Sequence, residues 1–129
     1  MKIFIKQFSE FEYIKYPIDD IIKKYDLSDI DIQNAIATFS LYDKINRTYI
    51  IANKSAEIIA EPLKVNLTDD YKYFLQFRLN KTHTQVVSTY FAEFKLDLID
   101  KCATLTVPNF DYINVYITKS ITRTDVVRE

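Results

Sequence analysis

Apolar residues recur at every second position in five stretches of this chain. Ala35, Ala37, Phe39 and Leu41 fall on one face of an extended segment, with Thr38 and Ser40 on the other. Tyr71, Tyr73, Leu75, Phe77 and Leu79 alternate in the same way with Lys72, Gln76 and Arg78. The longest stripe is Tyr90, Ala92, Phe94, Leu96 and Leu98, set against Glu93, Lys95 and Asp97. Ala103, Leu105 and Val107 oppose Cys102, Thr104 and Thr106; Ile113, Val115 and Ile117 oppose Tyr112, Asn114 and Tyr116. Successive side chains of a strand point to opposite faces, so this period predicts half-buried antiparallel strands. Lys2–Gln7 and Glu10–Tyr16 read as strands as well. The short β-branched segments Thr48–Ala52 and Glu57–Ala60 read as two weaker ones.

Between the strands stand Asp43-Lys44, Asn53-Lys54, Asp69-Asp70, Asn80-Lys81, Asp100-Lys101 and Asn109-Phe110-Asp111. Asn and Asp tolerate the left-handed region and bond their own backbone, so these positions predict turns. Their spacing of roughly 8–12 residues is that of a sandwich or barrel. One stretch departs from period two. Ile18, Ile21, Ile22 and Tyr25 recur at helical spacing, preceded by Pro17, with Asp19 and Asp20 at the start and Lys23-Lys24 at the end. Proline and acids suit a helix N-terminus and lysines its C-terminus, which predicts a short helix over 18–25 rather than an extended crossover. The residues from 118 to 129 read as a last strand or an extended arm, and the whole chain as a single domain.

Composition narrows the chemistry. The chain of 129 residues contains no glycine, whereas average usage would supply about nine. Phosphate-cradling loops, dinucleotide fingerprints and nucleophile elbows need glycine for positive φ or close backbone approach, so those classes are disfavoured. Lys+Arg and Asp+Glu are balanced at 17 and 18. With no basic patch, nucleic acid is not expected as a partner. No apolar run approaches a membrane span, and no secretory signal is recognisable, so synthesis in a cytoplasm is expected. The single Cys102 cannot form an internal disulfide. Asn46, Asn53, Asn66 and Asn80 open Asn-x-Ser/Thr triplets, read here as polar turn residues rather than glycosylation sites.

The remaining constellations are weak. His83 and Cys102 are the only residues from which a nucleophile–base pair could be made, but His83 lies in a polar loop and Cys102 opens a strand. Asp19, Asp20, Asp26, Asp29 and Asp31 lack the spacing and the turn glycine of an EF-hand and read as a solvated acidic loop. Glu93, Asp97 and Asp100 could supply paired carboxylates, yet strand alternation explains Glu93 and Asp97 without chemistry. No metal, cofactor or enzymatic activity is expected. The aromatics within the stripes (Tyr71, Tyr73, Phe77, Tyr90, Phe94) read as core. Phe74, Phe91, Tyr112 and Tyr116 instead fall on the faces that should be polar. Large apolar groups on outer faces form a surface suited to a partner, so these four are the candidate interaction residues.

Three short motifs suggest a relationship. Ser88-Thr89-Tyr90-Phe91-Ala92-Glu93-Phe94-Lys95-Leu96, Leu105-Thr106-Val107-Pro108 and Asp111-Tyr112-Ile113-Asn114-Val115-Tyr116-Ile117 resemble the immunoglobulin-like N-terminal domain of bacteriophage baseplate and tail structural proteins. Ala35-Ile36-Ala37-Thr38-Phe39 is similar to an earlier strand of that group, and Ser88 replaces the glycine the group places before its Tyr-x-x-Glu-Phe element. The resemblance implies an antiparallel immunoglobulin-like β-sandwich of seven to nine strands. It also implies a non-enzymatic role in a virion (baseplate, tail or neck, or capsid surface), through contacts with copies of itself and with other virion proteins. The alternative is a carbohydrate- or host-surface-binding module on the same scaffold.

Overall fold

The computed structural model describes residues 1–62, 71–108 and 111–120. The expected turns at Asp69-Asp70 and Asn109-Phe110, the triplet at Asn66, the side chain of Tyr71 and the tail from 121 lie outside the described residues. The elements are β1 (Lys2–Lys6), β2 (Glu12–Pro17), α1 (Asp19–Tyr25), α2 (Asp29–Gln33), β3 (Ile36–Asp43) and β4 (Thr48–Pro62). They continue with β5 (Tyr71–Leu79), β6 (Ser88–Leu98), a 3₁₀ turn (Ile99–Lys101), β7 (Ala103–Val107) and β8 (Ile113–Thr118). The fold is all-β, as the alternation predicts, and the described residues include two short helices, of which the sequence predicts only the first.

The strands form one sheet in the order β1-β8-β6-β3-β4-β5-β2, nearly closed into a barrel, with β7 also on β6. Pairing is antiparallel throughout except that β1 runs parallel to β8, from Lys2 opposite Asn114 to Lys6 opposite Thr118. Two strands change partner partway. One edge of β6 pairs with β8 from Ser88 to Ala92 and with β7 from Phe94 to Leu98. Strand β4 pairs with β3 up to Ala56 and with β5 from Glu57 onward. These exchanges turn the sheet around its core.

All five period-two stripes are strands, and their apolar faces point inward. Phe39, Leu41, Leu75, Leu79, Tyr90, Phe94, Leu96, Ile113 and Val115 are fully buried in one cluster. Phe39 stacks on Phe77 at 4.5 Å although β4 separates their strands in the sheet, so the pair meets across the core. Phe94 packs against Phe39 at 4.9 Å.

The two weaker strands are a single element. Thr48–Ala52 and Glu57–Ala60 both belong to the 15-residue β4, and the turn expected at Asn53-Lys54 is a bulge inside it. Asn53 has φ 50°, and its N–H donates to the Ser40 hydroxyl at 2.9 Å. The residue type was right for a left-handed position, but a bulge uses that position to bend a strand instead of reversing it.

The helix predicted over 18–25 is α1, with Asp19 and Asp20 in its first turn and Lys23 and Lys24 in its last. The expected acidic loop is instead spread over three helix termini, the two ends of α1 and the start of α2. Ser28 and Asp31 form a reciprocal capping box on α2, whose first turn also holds Asp29. Asp26 is the left-handed C-cap of α1. Ser-x-x-Asp at 28–31 is a start signal legible in the sequence. Ile18, Ile21, Leu27 and Ile32 from this segment join the core.

Candidate functional site

The outer face of the sheet carries its aromatic residues in rows set by strand register. Phe91 of β6 lies opposite Tyr42 of β3, and Tyr42 lies opposite Tyr49 of β4. Tyr112, immediately before β8, stacks on Phe91 at 4.4 Å with 22° between the rings. Tyr42 and Tyr49 meet edge to face at 5.0 Å. Glu93 occupies the next outward position on β6, opposite Ser40. Together these six residues line a notch of about 270 Å³. Its position follows from the topology: β8 leaves β6 after Ala92 and β7 joins at Phe94, so the sheet forks at Glu93.

The polar groups around the notch are already organised. The Ser40 hydroxyl accepts the Asn53 N–H and donates to Asn53 Oδ1 at 3.3 Å. Asp43, at the end of β3, is buried yet bonded on every side. Its Oδ1 accepts from the N–H groups of Ile45 and Asn46 and from the Ser88 hydroxyl, while Oδ2 accepts from Asn46 Nδ2 at 2.7 Å. Burial pushes this carboxyl up, but the hydrogen bonds from Ser88, Asn46 and Ile45 prevail and hold it below the usual aspartate value. From the same hairpin the Lys44 ammonium lies 5.1 Å from the centre of the Phe91 ring.

The four candidate interaction residues are distributed unequally. Phe91 and Tyr112 are in direct contact in the notch. Tyr116 shares their sheet face but pairs with Phe4 of β1 at 5.0 Å, toward the edge. Phe74 is not with them: it lies on β5, with the Lys15 ammonium 4.2 Å from its ring centre, and Lys15 pairs with Glu61. Tyr42 and Tyr49 were missed by the sequence reading. Tyr42 continues the outward phase of Thr38 and Ser40, which is the signal that could have found it.

The other constellations are dispersed. His83 sits in the turn after β5, where its Nδ1 accepts the Asn80 N–H at 3.1 Å and burial lowers its pKa. Cys102 is exposed and follows the far end of β6. At about 3.3 Å per residue that eleven-residue strand separates its ends by roughly 30 Å, so the two are not brought together. Asp97 accepts from the Thr104 hydroxyl and Asp100 from Asn34, leaving Glu93 alone in the notch. Among the described residues no three His, Cys, Asp or Glu side chains are grouped to hold a metal. A larger depression of about 490 Å³ beside α2 and β4 is open and lined mainly by Ile and Ala, with no charged side chain to orient a ligand. Among the described residues no helix is long and apolar enough to cross a membrane. Comparison with protein-family models, with curated proteins and with solved structures finds no match for this chain.

Proposed function

We propose that the protein is a non-enzymatic structural component of a bacteriophage particle, built on an immunoglobulin-like sandwich and working through contacts with copies of itself and with other virion proteins. One observation carries the assembly reading. Among the described residues the sheet path ends at β1 and β2, each paired on one side only, and large apolar side chains stand exposed there: Phe4 is 70% exposed and Phe11, just before β2, is 72% exposed. Open edges beside exposed aromatics invite pairing with another chain. The sandwich part of the reading draws on the partner change of β4, from β3 to β5, and on the Phe39–Phe77 contact across the core. The phage part rests on the resemblance of the Ser88–Leu96, Leu105–Pro108 and Asp111–Ile117 motifs. Sedimentation velocity from low to high micromolar concentration tests the assembly: self-association weakened by Phe4→Ser is the expected result. A protein that stays monomeric and fails to join virion components overturns it.

The second reading, a host-surface-binding module on the same scaffold, is favoured by the aromatic notch around Glu93.

A further inference from the structure

We propose that the notch at the β7–β8 fork binds a quaternary or methylated ammonium group. This rests on the second reading, in which the outer face is a ligand surface, and is independent of the assembly reading. The ring face of an aromatic side chain carries the negative end of its quadrupole, and rings grouped around a small space attract weakly hydrated cations. Here Tyr42, Tyr49, Phe91 and Tyr112 border the space, and among the described residues Glu93 is the only charged side chain lining it. Tyr49 and Tyr112 remain 61% and 45% exposed, so the rim is open to a ligand.

The chain itself places one cation on this cluster, the Lys44 ammonium above Phe91. Lysine is strongly hydrated and held on a flexible stem, so a methylated ammonium, which is cheaper to desolvate, competes well for the same rings. The volume of about 270 Å³ lies below the usual range for drug-sized ligands, roughly 300–1,000 Å³, and suits a head group rather than an extended chain. An oligosaccharide would need several hydrogen-bonding side chains free to face it. The Ser40 hydroxyl is committed to Asn53, which leaves Glu93 and the tyrosine hydroxyls. Charge complementarity and ring number both favour the cation.

The test is a titration of the intact protein followed through the amide resonances of Tyr42, Phe91, Glu93 and Tyr112. The probes are choline chloride, its uncharged carbon isostere 3,3-dimethyl-1-butanol, and cellobiose. Saturable shifts with choline, and binding of the isostere weaker by about ten-fold or more, are expected for a site that uses charge. Glu93→Gln should weaken choline binding several-fold while the urea midpoint stays unchanged. Equal binding of the isostere, no response to choline, or Glu93→Gln without effect overturns the proposal. Shifts with cellobiose alone overturn it too, but leave the surface-binding reading standing.

Discussion

The Ser88 hydroxyl donates to Oδ1 of the buried Asp43 carboxylate at 2.6 Å, tying the first residue of β6 to the last residue of β3. The bond fastens the β3–β4 hairpin, whose turn Asp43 also organises, to the strand that carries Phe91 and Glu93. It gives Ser88 a structural task at the position where the resembled domains carry glycine. Ser88→Ala removes one donor from a buried charge and should cost about 1–3 kcal/mol in urea unfolding. Ser88→Gly should cost more, because it also adds freedom to the unfolded chain. A loss within error for both would mean that Asp43 is adequately held by its own turn.

Acid should reveal the same carboxylate. Its folded-state pKa lies below the ordinary 3.8, so above 3.8 the folded state holds the charged form at an advantage. Protonation then removes that advantage as pH falls from 3.8 through the lower folded value. Melting temperature should therefore drop below pH 4 more steeply in the native protein than in Asp43→Asn. Parallel curves would remove Asp43 from the acid response.

At the other end of the pH scale, Tyr90 is fully buried, and burial, assisted by the Asp43 charge, pushes its phenol up to about 12. Its hydroxyl donates to the Val86 carbonyl. The raised value means that stability is complete below the ordinary value of 10.0 and is lost as pH rises through about 12. Absorbance titration should show a tyrosinate step near pH 12 that is missing in Tyr90→Phe. Ionisation of every tyrosine below pH 11 would contradict the burial.

The core stripe of β6 is tested by Phe94→Ala. Phe94 is completely buried against Phe39, so the substitution should cost about 3–5 kcal/mol. A loss under about 1 kcal/mol would mean that the inward face of β6 is wrongly assigned.

A chain without glycine places other residues in left-handed conformations, among them the exposed Arg47 at φ 54° and Cys102 at φ 51°. A non-glycine residue is disfavoured there by about 1–2 kcal/mol, partly offset by the extra freedom glycine gives the unfolded chain. Arg47→Gly and Cys102→Gly should each stabilise the protein, by about 0.5–1 kcal/mol in chemical denaturation. Destabilisation by both would show that their side chains contribute more than the backbone strain costs.

Much of this molecule could be read from the order of its residues. Alternation alone placed β3, β5, β6, β7 and β8 and assigned their buried faces, because side-chain direction in a strand is a local property with a fixed period. Pro17, Asp19, Asp20 and Lys23-Lys24 located α1 for an equally local reason, and Ser28-Asp29-Ile30-Asp31 carried a cap signal for α2. Local signals also put Phe91 and Tyr112 on an outer face.

Tertiary structure decided what those faces meet. No local rule distinguishes a hairpin turn at Asn53 from a bulge, since both use the left-handed region; only pairing with β3 and then β5 makes β4 continuous. Nor does strand period show that β8 and β7 share one edge of β6. That fork brings Tyr42, Tyr49, Phe91 and Tyr112 around Glu93, while Phe74, equally off-phase, sits under Lys15 on another strand. The sequence determined which side chains face outward, because that depends on a residue and its neighbours. The fold alone determined which of them stand together, because that depends on register between strands far apart in the chain.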